Sequence, residues 1–200
     1  MHQWHQENIL ILAKTYPSPS TRHREITCVA GINSLGQMRR LFPLPYRFLQ
    51  GDQRFRKWQW ISARVRKAPK DHRPESFNID VDSIEKGEVI PTKGDWAARL
   101  SHIGKFIYRN PDELEAARIA EGVTLGIVKP TRITQFQITK SDRPDWTDQE
   151  KANLMQESLF DTNEIRDKIM LRKVPCDFYY HYECASNDGT LPFKHKITDW

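Results

Sequence analysis

Long apolar runs are missing from this chain of 200 residues. The longest, Ile9-Leu10-Ile11-Leu12-Ala13, is strand-sized, whereas a membrane helix needs about 18 apolar residues in succession. Cysteine is equally scarce. Three, an odd number spread thinly, argue against a disulfide framework and point to a soluble protein of a reducing cytoplasm. Residues 1–7 have neither the charged start nor the apolar stretch of a signal peptide. The nine glycines are scattered and form no Gly-x-Gly. No phosphate-cradling loop, nucleophile elbow or His-Glu-x-x-His helix is present, and no internal repeat occurs at solenoid periods. With 38% hydrophobic and 28% charged residues, the composition is that of a globular chain large enough to bury a core.

Charge is present, and it is uneven. Residues 39–73 contain eleven Lys or Arg against only Asp52 and Asp71, a local charge of +9 in a chain whose total is +5. A basic block within a mildly acidic remainder is the footprint of a polyanion-binding face. A merely solvated basic surface would look the same.

The first ninety residues are expected to be β-rich. Residues 7–15 form an apolar strand, and Pro17 and Pro19 exclude regular pairing after it. Residues 25–32 follow, with Ile26, Cys28 and Ala30 on one face and Thr27 and Val29 on the other. Cys28 is expected to be buried. Residues 33–36 turn the chain, and 37–44 return as a hairpin partner. Residues 58–68 alternate, so Trp58, Trp60, Ser62, Arg64 and Arg66 share a face.

The middle reads as helical. Residues 95–108 carry apolar side chains at helical spacing. Asn110-Pro111-Asp112-Glu113 supplies a cap, a proline at the first helical position and an acid at the third, with Gly122 as the stop. Strands follow at 123–128 and 133–139, then a polar helix over 148–160. A strand over 176–184 leads through an Asn187-Asp188-Gly189 turn to a closing strand over 193–198. The expected class is mainly β with a helical connector. Its domains are residues 1–92, a connector over 93–122, and residues 123–200, each terminal part a small barrel.

Ile9-Leu10-Ile11-Leu12-Ala13-Lys14, Thr27-Cys28-Val29-Ala30-Gly31-Ile32 and Met38-Arg39-Arg40-Leu41-Phe42-Pro43 together resemble the opening of the bacterial dual-OB-domain proteins. Met38-Arg39-Arg40-Leu41 stands where that family has an aromatic-Ile-Arg sequence. Asp71-His72-Arg73-Pro74-Glu75-Ser76 and the final Ile197-Thr198-Asp199-Trp200 are further points of similarity. The resemblance implies two OB-like barrels and nucleic-acid binding, and it supplies no catalytic residues.

OB barrels track phosphates with Lys and Arg and stack bases on aromatics. The resulting expectation is a nucleic-acid-binding protein engaging single-stranded DNA or RNA, with no cofactor. Its candidate residues are Arg39, Arg40, Arg47, Arg54, Arg56, Trp58, Trp60, Arg64, Arg66 and Arg73. Trp58 and Trp60 stand equally as core residues. A runner-up is a small metal-dependent nuclease or nucleotide-processing enzyme using Asp71, Glu75, Asp80 or Asp82, the last two sharing a strand face. Against it, residues 71–75 also read as a charged turn braced by Arg73 or Glu75. A third reading is an adaptor that docks an acidic protein. Cys176, His181, Cys184 and His195 are zinc-type ligands. On one strand, however, the two cysteines would lie about 26 Å apart with His181 facing away, so no metal is expected.

Overall fold

The computed structural model describes residues 3–155 and 170–200. Its N-terminal half is a closed five-stranded barrel. β1 (His5–Lys14) pairs with β3 (Arg24–Asn33), and β3 with β4 (Met38–Leu44). β4 then runs parallel to β6 (Ser76–Ile79), which pairs with β5 (Gln59–Lys67), and β5 closes the ring on β1. β7 (Glu85–Val89) extends β5 outside the ring. The inward positions of the alternating strands make the core. Ile9 and Ile11 of β1, Val29 of β3, Leu41 of β4 and Ile61, Ala63 and Val65 of β5 are all sealed from solvent. Gly31 permits the tight β1–β3 crossing, since a Cβ there would sit 2.6 Å from the Leu10 carbonyl oxygen.

The two mouths of the barrel are plugged differently. At one, Glu7 and Arg39 form a two-pronged pair, each bond 2.8 Å, with the guanidinium 4.3 Å above the Phe77 ring. At the other, the Lys14 ammonium lies 3.8 Å from the centre of the Tyr46 ring, with Phe55 and Trp200 beyond.

α1 (Ala97–Ile103) follows the barrel, then β8 (Ile107–Tyr108) and α2 (Pro111–Glu121). β8 pairs with β9 (Ile127–Val128), so the helix expected over 95–108 is confined to α1. α2 begins as its sequence predicts: Asn110 Oδ1 accepts the Glu113 N–H at 3.0 Å, and Gly122 ends it in a left-handed conformation. Three strands complete the chain as an antiparallel meander, β10 (Arg132–Lys140), β11 (Cys176–Ser186) and β12 (Gly189–Ile197), with α3 (Asp148–Met155) after β10. This sheet is open at both edges among the described residues. Residues 156–160 of the expected polar helix lie outside them.

The fold is thus mostly β, in two domains, with one closed barrel. Three local expectations are corrected. Ser18–Ser20 forms a short strand, β2, on the edge of β3, where Pro19 needs no ladder N–H. Cys28 is half-buried, because it is Thr27 and Val29 that face the core. Asp80 and Asp82 do not share a strand face: Asp80 caps a 3-10 turn and accepts the Asp82 N–H. No helix is long and apolar enough to cross a membrane.

Candidate functional site

The turn after β2 and the β5–β6 loop rise on either side of β3 and β4, and a cleft of about 820 Å³ opens between them. One wall is the β2–β3 turn, bringing Arg22 and His23. The other is the β5–β6 loop, bringing Lys70, Asp71, His72 and Arg73. Arg40, Phe42 and Pro43 of β4 form the floor. A volume of this size suits a ligand pocket.

The loop is built around one carboxylate. Asp71 receives two bonds from the Arg73 guanidinium, at 2.9 and 2.7 Å, and one from Arg40 at 3.0 Å. The Arg73 guanidinium above all holds the Asp71 carboxyl far below its ordinary range. Lys67 donates to the carbonyls of Asp71, Arg73 and Ser76 from beneath, tying the loop into a single shape. Glu75, buried at the loop's end, accepts the Thr124 N–H at 3.0 Å and the Thr124 hydroxyl. α3 packs against β2 and β3 on the opposite wall. Both walls are therefore braced by the second domain.

Charge decides what the cleft can hold. Arg22, Arg40, Lys70 and Arg73 are fixed cations, and Asp71 is the single carboxylate in the lining. Asp71 is already occupied. Arg22 and Lys70 make no ion pair with any described residue. The Phe42 ring, with the Arg40 guanidinium 4.9 Å from its centre, adds an apolar platform. The cleft can accept an anion that carries a planar or apolar group.

Of the ten sequence candidates, two line this cleft, Arg40 and Arg73. Arg39 is spent inside the barrel mouth on Glu7. Arg47 pairs with the buried Glu25 at 3.1 Å. Arg54 donates to the carbonyls of Leu49 and Arg47, bracing its own loop. Arg64 is exposed but pairs with Asp80, and Arg66 covers the Trp4 ring at 4.6 Å. Arg56 is exposed on the loop before β5. Trp60, Ser62, Arg64 and Arg66 do share the outer face of β5, as alternation predicts, whereas Trp58, expected with them, lies before the strand in a left-handed conformation. Trp60 nevertheless meets His102 of α1 edge-on at 5.5 Å. Trp58 and Trp96 hold the Arg99 guanidinium between them, at 4.7 and 4.8 Å. The tryptophans thus seat a helix.

Sequence reasoning missed Arg22, His23, Lys70, His72 and Phe42 as one site. The available signals were the proline-flanked turn and the 71–76 cluster, which nothing in the sequence joins. The acids of the enzyme reading are dispersed: Asp71 is locked by arginines, Glu75 by Thr124, and Asp80 by its cap and Arg64. Among the described residues no three His, Cys, Asp or Glu side chains gather in a metal-holding group. Cys28, Cys176 and Cys184 are free thiols. His181 bonds Gln137, and His195 bonds Tyr182, both at 2.8 Å.

Residues 5–105 match the model of a family described as Domain of unknown function (DUF8758), and residues 110–200 match a second, Domain of unknown function (DUF8757). No curated protein and no solved structure matches the chain.

Proposed function

The chain belongs to the DUF8758 family, whose model spans half of it, and we propose that it binds single-stranded DNA or RNA through the cleft on its barrel. The observation that carries this reading is the cleft's charge: four fixed cations around a single carboxylate that two of them already occupy. Connectivity supports it. Setting aside β2, the barrel strands run in space first-second-third-fifth-fourth and back to the first, with the third and fifth parallel. This is a five-stranded Greek-key barrel of the OB kind, which takes oligonucleotides or oligosaccharides on strands 2 and 3 and on the loops after strands 1 and 4. The cleft lies between those elements, and its charge favours the polyanion. The same strand order supports kinship with the dual-OB proteins, and three free thiols support a cytoplasmic setting.

The test is fluorescence anisotropy with labelled single strands of about ten nucleotides across a salt series. Each lost phosphate contact on a single strand flattens the log–log salt slope by about 0.7. Arg22→Ala/Lys70→Ala should therefore bind more weakly, with a slope flatter by about 1.4. Equal binding by parent and variant at every salt concentration would remove the cleft from the interface. Loss of the labelled strand that depends on a divalent cation would favour the nuclease reading instead.

A further inference from the structure

Two groups in the cleft lining stand apart from its fixed cations. His23 belongs to the wall made by the β2–β3 turn and His72 to the wall made by the β5–β6 loop, so the two imidazoles line one space from opposite sides. Both residues are exposed, and neither ring hydrogen-bonds or ion-pairs with a described residue. Each has a cation without an ion pair close by in sequence, Arg22 before His23 and Lys70 before His72. The other histidines of the described residues are engaged elsewhere: His5 with Glu7, His102 with Trp60, His181 with Gln137 and His195 with Tyr182. Nothing in the fold occupies the two rings of the cleft.

Histidine is the side chain whose charge ordinarily changes between about pH 5 and 8. The rest of the cleft keeps its charge over that range. Arginine and lysine stay protonated throughout, which covers Arg22, Arg40, Lys70 and Arg73, and also Arg24 beside His23. Asp71 stays ionised, because Arg73 holds its carboxyl so low. Cys28, on β3 near Arg40, stays a thiol because burial pushes it up. The acids behind the walls are already engaged: Glu75 with Thr124, and Glu25 with Arg47. Lys67 lies beneath the loop, bonded to its carbonyls. α3, packed on β2 and β3, brings Asp148, Glu150 and Lys151. Glu150 is lowered by the Thr147 N–H it accepts, and Lys151 pairs with Asp145. A change in the cleft's charge near neutral pH is therefore a change at His23 and His72. A phosphate beside an imidazole favours the imidazolium. By linkage, each proton taken up tightens the phosphate in return.

We propose that His23 and His72 are phosphate ligands of the cleft, each making its contact only as the imidazolium, so that strand binding takes up protons. The proposal rests on the cleft being the nucleic-acid site. Its test uses the full chain and oligothymidylate, whose bases do not titrate in this range, carrying a pH-insensitive label. A terminal phosphate, which ionises a second time near about pH 6, is left off the strand. Anisotropy is measured across a salt series at about pH 5.5 and about pH 8. Each imidazolium adds one phosphate contact, so the log–log salt slope should be steeper at the lower pH by about 0.7 per histidine. At about 0.1 M salt, counterion release alone should then tighten binding roughly 5-fold for each histidine. His23→Gln/His72→Gln keeps polar side chains that cannot titrate. It should bind like the parent at the higher pH and show no gain at the lower one. Calorimetry of the unmodified chain near neutral pH, in buffers of different protonation enthalpy, should register protons taken up with the strand, a readout independent of variant folding. Equal affinity and slope at both pH values, zero proton uptake, or a gain that persists in the Gln variant would overturn the proposal. Binding that ignores pH but is weakened in Arg22→Ala/Lys70→Ala would remove the histidines and leave the cleft reading standing. If that variant binds like the parent at every salt concentration, or the unmodified chain does not bind the strand, both fall.

Discussion

Arg39 shows how a charge that reads as ligand-binding can be consumed by the fold. Its guanidinium is enclosed at the barrel mouth between Glu7 and the Phe77 ring. Burial alone would raise the Glu7 carboxyl, but Arg39 and His5 outweigh burial and hold it below its ordinary value of 4.5. A carboxyl lowered in the folded state stabilises the protein above its unfolded value, and that contribution fades as pH falls through the native value. Glu7→Gln should therefore cost about 2 kcal/mol near neutral pH, less than the ~3–5 kcal/mol of a fully enclosed pair. In urea melts at a series of pH values, the gap between parent and variant should close as pH drops below 4.5. A gap independent of pH would mean the pair contributes through packing alone. Trp60 is a second case. Half-buried against His102, it should cost about 2 kcal/mol when replaced by Ala and leave oligonucleotide affinity unchanged. Lost affinity in a fully folded Trp60→Ala chain would return the tryptophan to the interface.

At the scale of an element, α2 has its start written locally and its position set by a strand far along the chain. Asn110 caps the helix through Oδ1, and its Nδ2 donates to the Ala185 carbonyl of β11 at 2.9 Å. The side chain is 4% exposed, so neither bond is replaced by water. Losing a cap costs about 1 kcal/mol, and a buried carbonyl left unpaired adds about 1–3 kcal/mol. Asn110→Ala should thus be roughly 2 kcal/mol less stable by thermal or urea melting. Asn110→Asp keeps the acceptor and puts a negative charge at a helix start, but loses the donor to Ala185. It should fall between parent and Ala. If it equals the parent, the bond to β11 contributes nothing.

At the scale of the whole molecule, the last residues add a tie between the two domains. Tyr16 N–H donates to the Thr198 carbonyl at 3.0 Å, Lys14 N–H to the Asp199 carboxylate at 3.0 Å, and Trp200 N–H to the Lys14 carbonyl at 2.7 Å. Lys57 pairs with Asp199, and Trp200 completes the rings around the Lys14 ammonium. Residues 198–200 act as an extra strand on the edge of β1, strapping the second domain to the barrel. Removing them should speed hydrogen exchange at the Lys14 and Tyr16 amides. The Thr15 amide between them donates to Cys28 instead, at 2.9 Å, and should stay protected. Uniform exchange across all three would mean the barrel itself opens when the strap is lost.

The local chemistry of the chain settled the long strands β1, β3, β4, β5, β10, β11 and β12, the hairpin turns and the α2 cap, but not the short strands β2, β6, β7 and β8. Alternation, turn residues and a capping asparagine act over a few residues, so they can be read without the fold. Alternation also placed Trp60, Arg64 and Arg66 on one face correctly. What no local pattern could supply was the use of that face. The +9 of residues 39–73 is a property of the linear chain, and its neutralising partners Glu7, Glu25, Asp80 and Asp199 lie outside that segment. Barrel closure and the returning strap bring these acids within reach, which pairs off Arg39, Arg47, Lys57 and Arg64. The cleft arose the same way, from two loops some fifty residues apart raised on either side of one sheet. Electrostatics and stacking act through space, and only tertiary structure decided which charges and rings are neighbours.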